Sequence, residues 1–240
     1  PTPLRHRMPA REMCERCHWP DKFYGQRLIT LDRFDPDPPN SHRKVRLVLN
    51  TGGGSDAEGT GRGIHWHIQN EVTFGYKDRE RQDVPWVKST VDGKDVVFLR
   101  EGEDAALVDQ TEQREMDCID CHNRATHRLV SPVREIDRRM GLGHLDPKIP
   151  DLKMMALALV DREYESFEDA QVAIREGLMK HYTEQRPKIA EARAVDLAAA
   201  AEVLIEIHRA GRFPEMKLTW RSHPNNIGHR EFKGCFRCHD

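Results

Sequence analysis

The chain has 240 residues and a net charge of −2, and 38% of its residues are hydrophobic while 32% are charged. The apolar share is low and the charged share high for a globular domain, so a bulky apolar cofactor is expected to complete the core. The charge balance excludes the Lys/Arg excess of a nucleic-acid-binding surface, and the sequence has no run of about 18 apolar residues that could span a membrane.

The first segment of the chain leads into a cysteine motif. Residues 1–11 are predicted to be a linker, because they lack the apolar core of a secretory signal. The pattern C-x-x-C-H follows at Cys14, Cys17 and His18, and all six cysteines of the chain fall into copies of it. The other two copies are Cys118, Cys121, His122 and Cys235, Cys238, His239. The pattern is the attachment signature of c-type haem.

The spacing of the motif suits its chemistry. Two thiols must reach two neighbouring vinyl groups of one porphyrin, and the next residue must turn an imidazole onto the iron. Structural zinc and thioredoxin-like disulfides also use C-x-x-C pairs, but neither needs a histidine directly after the second cysteine. Three covalently attached haems c, each with its iron, are therefore predicted.

Alternating apolar residues after the first motif predict strands, each a short run bounded by turn residues. The predicted strands are Val45 to Leu49, Ile64 to Ile68, Val72 to Tyr76, Val84 to Val87 and Val96 to Leu99. Asp92-Gly93 is typical of a hairpin turn. A small antiparallel unit from about Arg43 to Arg100 is expected.

After the second motif the apolar period changes to that of a helix. Helices are predicted over Pro150 to Val160, Ser166 to Tyr182 and Pro187 to Ala210, with Ser166 as an N-cap. Gly211 and Pro214 are predicted to end the last helix. The Ala-rich run within it favours close packing, so a helical hairpin is expected.

Each motif histidine supplies one axial ligand, and the other ligands must come from elsewhere. His65 and His67 are candidates because, two apart in a predicted strand, they would point to the same face. His127 follows His122 by five residues, a link of at most about 17 Å, so it is expected to bind a haem other than the one beside His122. His229, which precedes the third motif, is a further candidate, and Met216 is the best methionine alternative.

The remaining histidines are predicted to be ordinary surface residues. They are His6, His42, His144, His181, His208 and His223. The glycine-rich Thr51 to Gly63 is not predicted to bind phosphate, because it lacks a Gly-Lys-Ser/Thr ending and a following helix.

The predicted fold class is α+β: a multihaem cytochrome with a small antiparallel β unit and a C-terminal helical hairpin packed around covalent haems. The expected segments are a first haem segment (1–35), the β unit (36–105), a second haem segment (106–149), the helical hairpin (150–212) and a third haem segment (213–240). Together they would form one haem-centred unit.

Several stretches resemble the NapC/NirT-like multihaem cytochromes over the whole chain. They are the segments around the motifs, Pro9 to Pro20, Cys118 to Arg124 and Gly234 to Asp240, together with Gly63 to His67 and Asn226 to His229. The resemblance implies bis-histidine haems and electron transfer in the periplasm or envelope, from membrane quinol to a reductase or acceptor. The anchor and quinol-facing haem of that family have no counterpart here, so quinol oxidation is not assigned.

The favoured function is an electron relay, with no catalytic residue assigned, located in the periplasm or on the outer face of the cell envelope. The expected partners are other cytochromes or redox subunits. The alternative is a reductase of a small oxyanion such as nitrite, with one open iron site. A haem-bound docking subunit is a third interpretation. The chain is also expected to be an internal piece of a longer cytochrome with flanking haem-bearing segments, in which a membrane anchor outside these 240 residues is one option.

Overall fold

The structure is a computed structural model, and it describes residues 10–18, 25–52, 63–91, 93–124 and 129–239. The chain divides into two compact units. The first comprises Pro1–Ile29, Leu47–Arg128 and His223–Asp240, and we call it the motif unit because it contains all three C-x-x-C-H motifs. The second, the helical unit, comprises Thr30–Arg46 and Leu129–Ser222.

Short helices and small antiparallel sheets make up the motif unit. In chain order its elements are α1 (Ala10–Glu15), β1 (Gln26–Phe34), β2 (His42–Asn50), α2 (Trp66–Gln69), β3 (Val72–Tyr76), β4 (Trp86–Val91), β5 (Lys94–Leu99), α3 (Leu107–Gln110), β6 (Glu112–Glu115) and α4 (Cys118–Cys121). Strands β1 and β2 form a hairpin, and its residues 30–46 belong to the helical unit. Strands β3 to β6 form one sheet in the order β5-β4-β3-β6.

The core of the motif unit is small. It consists of Ile68, Val72, Phe74, Val84 and Met116, with Trp66, Tyr76 and Val87 packed against it. Residues 72 and 74 share one face of β3 because side chains alternate along a strand. Gly75 follows Phe74 on the same strand. A Cβ at this position would come within 2.2 Å of the Trp86 indole nitrogen, so the close approach of strand and indole requires glycine.

The helical unit has a larger core of its own. Its elements are α5 (Pro132–Gly141), α6 (Leu152–Val160), α7 (Phe167–Gln185), α8 (Pro187–Ala192), α9 (Ala194–Ala210) and the two-residue strands β7 (Arg212–Phe213) and β8 (Leu218–Thr219). Helix α7 packs against α9, and α6 packs against both. The buried residues Ile174, Leu178 and Tyr182 repeat every four positions along one face of α7. On α9 the Ala-rich run buries Ala200 and Ala201 beside Leu204.

An ion pair is buried inside the helical unit. The Lys153 ammonium contacts the Asp137 carboxylate and the Phe34 carbonyl oxygen, and both charged side chains are almost inaccessible to solvent. Arg33 reaches the same carboxylate at 3.3 Å. Because several donors surround the Asp137 carboxylate, its charge is compensated without water.

The structure confirms several element predictions. Strand β3 spans Val72–Tyr76 as predicted. Val91 pairs with Lys94 across the two-residue turn predicted for the β4–β5 hairpin, where Gly93 has a φ of +74°; Asp92 lies outside the described residues. Ser166 caps α7 by accepting the backbone N–H of Asp169 at 3.0 Å.

Other element predictions are wrong. Ile64 to Ile68 forms a turn and the single helical turn α2, because the N–H of Ile64 and the flanking Gly63 pack against the backbone of residues 50–52. Val45 to Leu49 is a strand as predicted, within β2, but it pairs with β1 and does not join the larger sheet as the predicted antiparallel unit required. The predicted helix from Pro187 to Ala210 divides at Arg193, whose guanidinium bonds Asp146 and Asp196, both at 2.5 Å. Strands β1 and β6 and helix α5 had no counterpart in the sequence predictions.

None of the helices among the described residues combines the length and apolar character needed to cross a bilayer.

Candidate haem site

The three C-x-x-C-H motifs share one backbone conformation. In each, the N–H of the histidine donates to the carbonyl oxygen of the first cysteine, at 2.8 Å for His18, 2.8 Å for His122 and 3.1 Å for His239. This is a single helical or 3-10 turn, found at the end of α1, in α4 and in a 3-10 helix at Gly234–Arg237. The turn brings both thiols and the imidazole of a motif into one neighbourhood, as attachment to one porphyrin requires.

The motifs also lie near one another. Helix α1 packs against α4. Burial raises the pKa of the Cys118 thiol to about 11, and the nearby Cys14 adds to the shift. Burial also raises the pKa of Cys121, where Cys235 is one of the neighbouring groups that contribute. The second motif is therefore the middle one of the three.

His65 faces the histidine of this middle motif. The ring centres of His65 and His122 are 6.4 Å apart, and the ring planes are within 4° of parallel. Imidazoles bind metals at about 2 Å, so two of them on opposite sides of one iron have ring centres about 6 Å apart. Partial burial, with His65 and His18 nearby, lowers the pKa of His122 and so favours the neutral imidazole that can ligate.

The hydrogen bonds of His65 fix its tautomer. Its Nδ1 lies 2.8 Å from the carbonyl oxygen of Thr51, and a carbonyl can only accept, so Nδ1 carries the proton. The unprotonated nitrogen is then Nε2. Ligating histidines commonly donate their other ring N–H to a carbonyl in this way.

His67 faces the histidine of the third motif. The ring centres of His67 and His239 are 5.6 Å apart, and their planes are close to perpendicular at 79°. The Nδ1 of His67 lies 2.9 Å from the carbonyl oxygen of Ile64, which again leaves Nε2 unprotonated. The prediction that His65 and His67 point to the same face is wrong: the helical turn at this position sends them to different motifs.

The other predicted ligands have different surroundings. His127 lies outside the described residues. His229 packs its ring 4.3 Å from that of Phe236, inside the third motif. Met216 lies in the helical unit, exposed in a 3-10 turn.

The prediction that His208 is a surface residue is wrong. It is buried in the helical unit, where its Nδ1 lies 2.8 Å from the Val160 carbonyl oxygen and its ring packs against Tyr164.

Apolar side chains stand exposed beside the motif residues. They are Met13, Ile64, Ile119, Ile227 and Phe236, each inside a motif or within two residues of a motif residue or of one of the candidate ligands His65, His67 and His229. A porphyrin is an apolar plate that needs such contacts. The donor set and its apolar surroundings therefore fit covalent haem.

A comparison with curated proteins bears on this chemistry. The chain is 38% identical over 242 residues to the cytochrome c-type protein ImcH of Geobacter sulfurreducens, in an alignment that covers all of this chain and 48% of that protein. The similarity supports a c-type cytochrome. The chain spans about half the length of this curated relative. No family model matches the chain, and no solved structure matches it.

A c-type cytochrome binds its haem covalently through cysteines, which favours haem over the zinc and disulfide alternatives. Haem of this kind carries electrons and works with redox partners. In this chain, the cysteines of each motif would hold the porphyrin, and His18, His122 and His239 would each bind one iron.

Proposed function

We propose that this cytochrome relays electrons through three haems c, each with two histidine ligands. The observation that carries the proposal is the pairing of two histidines with two motif histidines, His65 with His122 and His67 with His239, at ring separations that suit one iron between them. Haem iron with two histidine ligands has no open position for a substrate, so it can exchange electrons but not bind an oxyanion.

We propose both axial ligands for the second and third haems, and one axial ligand with two candidates for the other in the first haem. For the second haem, on Cys118 and Cys121, the ligands would be His122 and His65. For the third, on Cys235 and Cys238, they would be His239 and His67. For the first, on Cys14 and Cys17, His18 would be joined by His127 or His229, the two candidates that remain.

The wider setting is proposed from the chemistry of the class. Haem c is attached to exported chains, so we infer a periplasmic or outer-envelope location. The residues quoted above support a NapC/NirT-like cytochrome, with other cytochromes, redox subunits or further haem-bearing segments of a longer chain as electron donors and acceptors. The docking-subunit interpretation differs from the relay only in whether the haems change oxidation state during electron flow.

Carbon monoxide binding to the reduced, haem-loaded protein tests the proposal. The unmodified protein should carry three haem increments in its intact mass and bind no carbon monoxide. His65→Ala should admit carbon monoxide at one haem, whereas His144→Ala, which changes an exposed histidine of the helical unit, should not. Carbon monoxide binding by the unmodified protein would favour the reductase alternative and overturn the relay.

A further inference from the structure

The residue before the second cysteine differs in type or in burial between the three motifs. It is Arg16 in the first, Asp120 in the second and Arg237 in the third. Arg16 is exposed, whereas Asp120 is 2% exposed and Arg237 is 8% exposed. A guanidinium is rarely buried without several acceptors, so the contacts of Arg237 indicate what it holds.

The Arg237 side chain joins three segments of the motif unit. Its Nε donates to the Gly234 carbonyl oxygen at 3.0 Å, Nη1 to that of Arg81 at 2.9 Å, and Nη2 to that of Asp120 at 2.8 Å. The first acceptor belongs to the third motif's own turn, and the last belongs to the second motif. A planar fork with N–H donors on three nitrogens suits this set, whereas a lysine ammonium carries its three N–H donors on one nitrogen and cannot spread them over three separate segments in the same way.

Asn226 adds a second connection between the same two motifs. Its Nδ2 donates to the Asp120 carbonyl oxygen at 2.8 Å, so that one oxygen accepts from both Arg237 and Asn226. The backbone N–H of Asn226 donates to Asn123 Oδ1 at 3.1 Å, just after His122. Gln82 donates to Asn226 Oδ1 at 3.0 Å, so every polar group of this buried amide has a partner.

The side chain of Asp120 also acts on the second motif. The Asp120 carboxylate is nearly inaccessible, and it lies 3.3 Å from Arg81 and 3.4 Å from Arg114. Its Oδ2, the oxygen nearer Arg114, accepts the backbone N–H of Asp117 at 2.8 Å, which caps the turn that contains Cys118. The Asp120 side chain thus fixes the start of the second motif's turn. Arg237 and Asn226 hold the same turn through the Asp120 carbonyl oxygen.

We propose that Arg237 and Asn226 are positioning residues that hold the second and third haems as one pair of fixed separation. The inference rests on the proposed function and deepens it. His65 and His67, two residues apart and so at most about 7 Å between Cα atoms, would tie the other faces of the same two haems. The interaction of two charged redox centres falls at least as fast as the inverse of their distance, so a fixed separation sets how strongly oxidation of one haem shifts the other.

The test compares Arg237→Gln, Arg237→Lys and Asn226→Leu with Arg16→Gln, which changes the same residue type at the same motif position where it is exposed. Intact mass counts the attached haems. Redox titration followed by low-temperature electron paramagnetic resonance (EPR) measures the shift that oxidation of one haem causes in the other, with signals assigned through the His65 and His67 variants. We expect this shift to fall by about twofold or more in Arg237→Gln and Asn226→Leu, to recover in part in Arg237→Lys, and to stay unchanged in Arg16→Gln.

An unchanged shift in Arg237→Gln or Asn226→Leu, with all three haems attached, would overturn the positioning role and leave the relay standing. Loss of the third haem from Arg237→Gln combined with an unchanged shift in Asn226→Leu would also overturn it. Carbon monoxide binding by the unmodified protein would instead overturn the relay, so the two failures are distinguishable.

Discussion

The helical unit buries a large set of apolar side chains against one another, including Phe34 and residues from Ile136 to Ile207, whereas the core formed by the described residues of the motif unit contains five. The motif unit also leaves apolar side chains such as Met13 and Phe236 exposed beside its cysteines. One unit can be stabilised by its own side chains, and we expect the other to require an added apolar group. A low apolar content averaged over the chain therefore conceals two regions with different sources of stability.

The largest expected effect comes from removing the haem attachment sites. In a variant with all six cysteines replaced by alanine, the motif unit should lose its fold because nothing replaces the apolar plates, while the helical unit persists. Far-UV circular dichroism should retain the signal of α5 to α9, and limited proteolysis should cut within 63–124 while sparing 150–210. Protection of both regions would contradict the comparison.

Lys153→Met tests whether the helical unit is stabilised independently. It leaves the buried Asp137 carboxylate without its ammonium partner and should lower the free energy of unfolding of this unit by about 3–5 kcal/mol. The haem absorbance should not change under native conditions. Lys180→Met is the matched control: the side chain is exposed and makes only a 3.9 Å pair with Glu184, so its effect should stay within about 0.5 kcal/mol. Equal effects of the two variants would show that the buried pair contributes nothing.

The two ligand pairs of the motif unit should differ spectroscopically. Parallel imidazole planes, as for His65 and His122, split the iron dπ orbitals and give a rhombic low-spin EPR signal. Perpendicular planes, as for His67 and His239, leave those orbitals nearly degenerate and give a strongly anisotropic one. His65→Ala should remove a rhombic signal and His67→Ala an anisotropic one. Loss of the same signal in both variants would contradict the division of these ligands between two haems.

The smallest effect concerns pH and the helical unit. Burial lowers the pKa of His208 below its ordinary value of 6.5, with the positive charge of Arg212 acting in the same direction and the hydrogen bond to Val160 opposing it. The unfolded chain therefore binds this proton more readily, so the stabilisation is present above pH 6.5 and is lost as the pH falls below it. The slope should not exceed about 1.4 kcal/mol per pH unit, and His208→Gln should remove it. Unfolding measured between pH 7.5 and 5 checks this, and an identical slope in His208→Gln would reject it.

Local signals predicted much of the helical unit from sequence. Ser166 and the acidic residues after it identify the start of α7, because an N-cap acts on the backbone within one turn. The division at Arg193 escaped prediction because it depends on Asp146, which is distant in sequence. His208 was misassigned for the same reason: its charged neighbours in sequence indicate a surface, while its burial depends on contacts with Val160 and Tyr164.

For the motif unit, the sequence predicted the chemistry of the residues better than their arrangement. The three C-x-x-C-H motifs predict haem sites because covalent attachment fixes their spacing. The segment Ile64 to Ile68 has the alternation of a strand, but the approach of Gly63 to the backbone of Gly52 sets its conformation, and no local pattern encodes that contact. The sequence did not indicate that Arg237 is buried, since an arginine between two cysteines is typical of a solvent-exposed charge.

The acceptors of Arg237 are all main-chain oxygens, and this affects which substitutions preserve its hydrogen bonds. Substitution at position 81 or 120 leaves a carbonyl oxygen in place, so the side chains there can vary without removing an acceptor of the fork. Position 237 cannot vary in this way, because its side chain supplies the three hydrogen-bond donors. Position 234 cannot vary either: its φ is +53°, and a Cβ would lie 1.3 Å from the Gly228 oxygen. Among related chains, we expect Arg237 and Gly234 to be retained more strictly than the side chain at position 81, which meets Arg237 only through its carbonyl oxygen.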